Sequence, residues 1–188
     1  LATSGFNVLI NDRDQLTLNN ASKIIRDNIN KAINRGRLEK DIGSYSIDRI
    51  KTKNDIAQLG GCDLIIEAAT ENEKIKHEIF QKLVPHLQPH TILTSNTSSI
   101  SITRLASSTD RPEKFLGFHF MNPVPIMQLV ELIPGIATTQ DTFEKCAGVV
   151  DRLGKTVARS EDFPAFIVNR ILIPMINEAI YLSLIHIS

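Results

Sequence analysis

Apolar residues in this chain fall into two textures. Short runs rich in Val, Ile and Leu, FNVLIN (6–11), CDLIIEAA (62–69) and TILTSN (91–96), show no strict alternation, the pattern of strands buried on both faces of a parallel sheet. Between them the apolar positions spread to helical spacing. From Gln15 to Arg35 they are Leu16, Ile24, Ile25, Ile29, Ala32 and Ile33, with RGRL supplying a glycine stop. Glu71 to Leu87 repeats the pattern with Ile75, Ile79, Phe80, Leu83 and Val84. With RIKT as a short strand and a short helix after it, the order is that of a doubly wound α/β sheet.

After Asn96 the texture changes. KFLGFHFM, MQLVELI and KTVARS read as further strands, with Thr139 to Leu153 as a helix, and from EDFP onward the chain turns wholly helical. The residue before a proline resists helical dihedrals and proline suits a helix's first turn, so a domain boundary is expected near Asp162 and Pro164. That gives domains of 1–162 and 163–188. The apolar stretch from Phe166 to Ile185 has the length of a membrane span, but Asn169, Arg170, Pro174, Asn177 and Glu178 interrupt it. A packed helix is expected there, with no membrane as partner.

Composition narrows the field without choosing a function. Lys and Arg total 21 against 21 for Asp and Glu, so no global field points to nucleic acid or an anionic surface. Cys62 and Cys146 have neither disulfide-framework nor metal-ligand spacing, which suits a reducing, cytoplasmic setting. His86 and His90 are interrupted by Pro89, and they read as solvated loop rather than as metal ligands.

The candidate chemistry lies where ionisable groups enter apolar runs. In GFHFMNPVPIMQLVE, His119 sits among Phe118, Phe120 and Met121, and Glu131 interrupts QLVELI. Each alone fits an ordinary role, a core histidine bonded to a carbonyl or a strand end reaching solvent. Together they suggest pairing, because a buried carboxylate and imidazole mostly survive by meeting each other. NPVP permits the turn that returns the chain beside itself. His119 is then a candidate general base and Glu131 its orienter. SNTSSIS follows TILT at the carboxyl end of a strand, where open α/β sheets place ligands; its side chains fit a helix cap or a substrate hydrogen bond. Asp12, at the end of FNVLIN, fits a polar turn or the carboxylate that accepts an adenine-ribose hydroxyl and favours NAD over NADP. Asn169 in FIVNRILIP fits a helix-to-helix bond or a ligand contact.

VLINDRD, CDLIIEAATENEKIKHEIF, TILTSNTSSISIT, GFHFMNPVPIMQLVELIPGIAT and FIVNRILIPMINEA, in that order, resemble the 3-hydroxyacyl-CoA dehydrogenase family, above all its bacterial short-chain members. The resemblance implies a Rossmann-type sheet, truncated at its N-terminus, followed by the start of an all-helical dimerisation domain. It implies NAD as cofactor and oxidation of a (3S)-3-hydroxyacyl-CoA thioester to the 3-ketoacyl-CoA, or the reverse. It puts His119 on the catalytic histidine, Glu131 on its paired glutamate, and Ser98 and Asn169 on substrate contacts. Asp12 falls on the ribose-binding aspartate, while Glu71, Lys76, Asn96 and Asn122 fall on the nicotinamide side. Lys31 and Arg35 fall on a basic surface for the CoA phosphates.

The chain also departs from the family. Pro164-Ala165-Phe166 stands where the family reads Pro-Gly-Phe, which loosens a close backbone approach. No glycine-rich phosphate loop precedes FNVLIN, and Leu1 to Ser4 read as the last turn of the helix such a loop would open. The tail SLIHIS (183–188) reads as foreign. A homodimer is expected through a C-terminal domain beyond this chain, and low activity and marginal stability are expected of the chain alone. Outside this reading stand a dehydrogenase of a free hydroxy or sugar acid and a non-catalytic binding homologue.

Overall fold

The computed structural model describes residues 1–184; residues 185–188 of the tail expected to be foreign lie outside the described residues. The chain divides into two units, one of residues 1–62 and 85–89, the other of residues 63–84 and 90 onward.

In the first unit β1 (Val8–Asn11) pairs in parallel with β2 (Ile50–Lys53), Val8 opposite Ile50. A single 3-10 turn, Ala2–Ser4, precedes β1 and closes on Gly5, whose φ of 88° is open to glycine at little strain. Helix α1 (Gln15–Asn34) opens on Asp14, whose carboxylate accepts from the Leu16 amide and the Thr17 hydroxyl. Helix α2 (Lys40–Asp48) was not anticipated. Its sequence KDIGSYSID is a weak helix former, and packing decides it: a Cβ at Gly43 would lie 2.5 Å from Ile33 Cδ1, so α1 and α2 meet closely there.

The second unit holds a five-stranded sheet in the order β3 (Leu64–Glu67), β4 (Ile92–Ser95), β5 (Phe115–Phe120), β6 (Leu129–Pro134) and β7 (Thr156–Arg159). All neighbours are parallel except β5 and β6, which run antiparallel. The expected single sheet is thus two hydrogen-bonded sheets among the described residues, with β1 paired only to β2 and β3 only to β4. The architecture is α/β of the Rossmann type. Helices α3 (Glu73–Leu83), α4 (Ile102–Ser107) and α5 (Gln140–Arg152) accompany this sheet. Helix α6 (Val168–Leu184) has no buried residue, and Ile171, Ile173, Met175, Ile176 and Ile180 are exposed. Among the described residues, no helix is long and apolar enough to cross a membrane.

Side-chain alternation along β5 and β6 decides what each face carries. Leu116, Phe118, Val130 and Leu132 pack with Cys146 and Val150 of α5 in one core cluster. On the other face Phe115 meets Phe80 of α3 edge-on, ring centroids 5.0 Å apart, and Gly117 admits Ile102 of α4. His119 continues the Phe115–Gly117 face, and its antiparallel register partner is Glu131. The pair expected from the sequence therefore forms by strand register.

A Cβ at Gly117 would lie 2.9 Å from Ile102 Cδ1 and 3.0 Å from Ile133 Cβ, whereas nothing lies within 4 Å at Gly148 in α5. Gly117→Ala is expected to destabilise by roughly 1–3 kcal/mol through overpacking. Gly148→Ala should stabilise by about 0.5–1 kcal/mol, because alanine loses less backbone entropy in a helix. Urea unfolding of both variants checks the contrast; equal midpoints would refute the close approach at Gly117.

Candidate active site

Strand β4 carries the chain to its carboxyl end at Ser95, and the loop Asn96–Ser101 leads into α4. On that loop Ser98 Oγ lies 3.1 Å from His119 Nε2. His119 Nδ1 lies 2.7 Å from Glu131 Oε2, and Glu131 Oε1 accepts the amides of Ile167 and Val168, both at 2.9 Å. His119 is 5% exposed and Glu131 fully buried. The Glu131 carboxyl is held below its ordinary range: burial raises it, but hydrogen bonds from His119 and the Val168 and Ile167 amides outweigh that. An ionised carboxylate only accepts, so Nδ1 carries a proton, and in the neutral imidazole Nε2 then presents its lone pair towards Ser98.

A serine, histidine and carboxylate in line also suit a nucleophilic serine, which needs amides free for an oxyanion. The loop commits them elsewhere. The amides of Ser98 and Ser99 both donate to Glu71 Oε1, at 3.0 and 3.1 Å, together with the hydroxyls of Thr97 at 2.6 Å and Ser99 at 3.0 Å. Burial raises the Glu71 carboxyl, yet these bonds hold it below its ordinary value. The Ser98 and Ser99 amides are thus committed to Glu71 and are not free for an oxyanion.

The remaining predicted residues take varied places. Asn96 Oδ1 accepts the Phe120 amide at 2.9 Å, joining the ends of β4 and β5. Lys76, 2% exposed, has its Nζ 2.6 Å from Glu67 Oε2, which also accepts from Ser95 Oγ at 2.6 Å. Asn122 is exposed, in a cis peptide bond with Pro123. Asn169 follows Val168 in the first turn of α6, half-buried. Asp12, Lys31 and Arg35 belong to the first unit. Asp12 is half-buried just beyond β1, its Oδ1 on the Asp14 amide at 2.9 Å, and Lys31 and Arg35 are exposed at the end of α1. No group of three His, Cys, Asp or Glu suited to a metal occurs among the described residues.

Sequence reasoning missed Glu67 and Asp162. Glu67 ends an apolar run in CDLIIEAA much as Glu131 interrupts QLVELI, and that signal was available. Asp162 stood only as a boundary marker, yet its carboxylate accepts from Ile102, Thr103 and Ser101.

The sequence model described as "3-hydroxyacyl-CoA dehydrogenase, NAD binding domain" matches residues 1–163. The chain belongs to the 3-hydroxyacyl-CoA dehydrogenase family. It is 51% identical over 180 residues to a 3-hydroxybutyryl-CoA dehydrogenase of Bradyrhizobium diazoefficiens, covering 96% of this chain and 61% of that protein. It is 38% identical over 187 residues to the mitochondrial hydroxyacyl-coenzyme A dehydrogenase of Homo sapiens, covering 96% of this chain and 60% of that one. The solved (S)-3-hydroxybutyryl-CoA dehydrogenase of Ralstonia eutropha superposes with a TM-score of 0.95 at 36% identity, covering 100% of this chain and 66% of that structure. The chain thus spans about three fifths of the length of the curated relatives it matches.

The site's carboxylates set an acid limit. Asp162, like Glu131, is held below its ordinary value: burial raises it, and hydrogen bonds from Thr103, Ile102 and Ser101 prevail. The folded state therefore binds these protons more weakly than the unfolded state. Their contribution is present above the ordinary values, 4.5 for Glu131 and 3.8 for Asp162, and is lost as pH falls through the lower folded values. Stability should drop on acidification from about pH 6 to about pH 3, and Glu131→Gln should make that drop shallower while lowering stability at neutral pH. Denaturant titrations at both pH values test it; an unchanged pH dependence in the variant would contradict the assignment.

Proposed function

We propose that the protein containing this chain is a cytoplasmic NAD-dependent dehydrogenase that interconverts a (3S)-3-hydroxyacyl-CoA, with 3-hydroxybutanoyl-CoA as the main substrate, and the 3-ketoacyl-CoA. The observation that carries this reading is the Ser98–His119–Glu131 line, at the end of the sheet where such folds take ligands. In support, the relatives named above are 3-hydroxybutyryl-CoA and hydroxyacyl-CoA dehydrogenases.

NAD, when bound, supplies the acceptor for the hydride that leaves C3 of the alcohol. His119 Nε2 takes the hydroxyl proton, and Glu131 compensates the imidazolium that results. Ser98 and Asn169 hold the substrate oxygen in line. Asp12 suits the adenine ribose: it is a half-buried carboxylate at the carboxyl end of a parallel strand. Asn96, Glu71, Asn122 and Lys76 make up the nicotinamide side, Lys76 paired there with Glu67. Lys31 and Arg35 serve the CoA phosphates. In this reading the NAD-binding domain is 1–162, and 163–182 begins the helical domain through which the whole protein dimerises.

The test is turnover of the full-length protein with NAD and (S)-3-hydroxybutanoyl-CoA against free 3-hydroxybutanoate. Turnover of the thioester alone is expected; preference for the free acid would place the protein among hydroxy-acid dehydrogenases. His119→Ala should lower kcat by roughly 10²-fold or more with NADH affinity nearly unchanged. Glu131→Gln should also depress kcat, and the double variant should lose little more than His119→Ala alone, since the two groups act as a unit. Near-native turnover in His119→Ala, or fully additive losses, would remove both residues from the chemistry.

A further inference from the structure

Asp162 lies outside the hydrogen-bonded line of Ser98, His119 and Glu131, yet its carboxylate takes three donors at the start of α4. Oδ1 accepts the Ile102 amide at 2.8 Å, and Oδ2 accepts the Thr103 amide at 2.8 Å and the Ser101 hydroxyl at 2.9 Å. These bonds anchor the chain just after β7 to the helix that follows the Ser98 loop.

What lies between Asp162 and α6 is strained. Ala165 has φ 68° and Phe166 φ 51°, left-handed conformations that cost L-residues roughly 1–2 kcal/mol each. Such conformations persist only where the surroundings over-determine them. At the far end of the segment the Ile167 and Val168 amides are held by Glu131 Oε1. In the middle, the buried Phe166 ring lies 5.8 Å from the His119 ring. The segment is therefore pinned at both ends by carboxylates, and one of these is the partner of the base.

We propose that Asp162 is a positioning residue for the His119–Glu131 pair, acting by holding the 163–166 turn in the conformation that delivers two backbone amides to Glu131. The proposal rests on the dehydrogenase reading above. With Asp162 anchored, Glu131 has one oxygen fixed by backbone and the other aimed at His119 Nδ1. With the anchor removed, the left-handed turn relaxes, the amides withdraw, and a buried carboxylate is left to turn towards other donors. His119 then loses the orientation that points Nε2 at the Ser98 hydroxyl. A displacement of this kind acts on the chemical step, because near-attack geometry is lost while the surfaces that bind the ligands are untouched.

The experiment compares Asp162→Ala with Thr139→Ala in the full-length protein. Thr139 caps α5 through the Thr142 amide, so its loss is a helix-cap defect that breaks no hydrogen bond to the 162–168 segment or to Glu131. Asp162→Ala is expected to lower kcat about 10-fold or more with KM for NADH and for the CoA thioester within about two-fold. Amide hydrogen exchange at Ile167 and Val168 should accelerate by about 10-fold or more. Thr139→Ala should leave kcat and both of those amides as in wild type. Asp162→Asn, which retains one acceptor oxygen, should show a smaller loss in the same direction and serves if Asp162→Ala does not fold. Unchanged kcat, or wild-type exchange at Ile167 and Val168, overturns the proposal. A wild-type protein with no turnover would instead sink the dehydrogenase reading, and the exchange data would then decide the clamp by themselves.

Discussion

Everything at the site depends on how one fully buried carboxylate keeps its charge. Glu131 is fully buried, and an ionised carboxylate in such a place is tolerated only when each oxygen is matched by donors. Its three donors come from separate parts of the unit: His119 on the neighbouring strand, and the Ile167 and Val168 amides at the start of α6. Satisfying them ties the β5/β6 register to the point where the helical segment begins. The positive end of α6 adds to the effect, since backbone N–H groups at a helix start favour an anion. The same bonds that stabilise the charge also determine which imidazole nitrogen carries the proton.

Carboxylates recur as organisers around this centre. Glu71 gathers the Thr97–Ser99 loop, Asp162 anchors the end of β7 to α4, and Glu67 joins Lys76, Ser95 and the Ala69 amide. Each accepts from backbone amides as well as side chains, so each converts a flexible loop into a defined one. These loops sit at the carboxyl ends of strands, which supply the rigid platform. Charge-assisted hydrogen bonds are about twice as strong as neutral ones, and a few of them can hold a loop that buries little apolar surface.

The left-handed turn at Ala165 and Phe166 gives the Pro-Gly-Phe departure a physical meaning. Glycine adopts φ near +68° with little strain, whereas alanine does so only under constraint. This chain keeps the conformation with alanine in place, and the bonds at Asp162 and Glu131 are what hold it. The loosened backbone approach expected from that substitution is answered by a clamp on either side.

Much of the framework was readable in the sequence because it rests on local period and burial. Unbroken Val/Ile/Leu runs became β1, β3 and β4, helical spacing became α1 and α3, and two ionisable residues in apolar surroundings were enough to suggest that His119 and Glu131 meet. Helix α2 was not legible, because its residues are poor helix formers and only the close contact of Gly43 with Ile33 selects it. Nor was the role of Asp162, since a carboxylate two residues ahead of a proline looks like any polar boundary until the chain brings α4 beside it. The division into two hydrogen-bonded sheets likewise depends on which strands meet. Sequence by itself determined what must be buried and which charges would then need partners; only tertiary structure decided who those partners are, because amides such as those of Ile167 and Val168 leave no side-chain signature in the sequence.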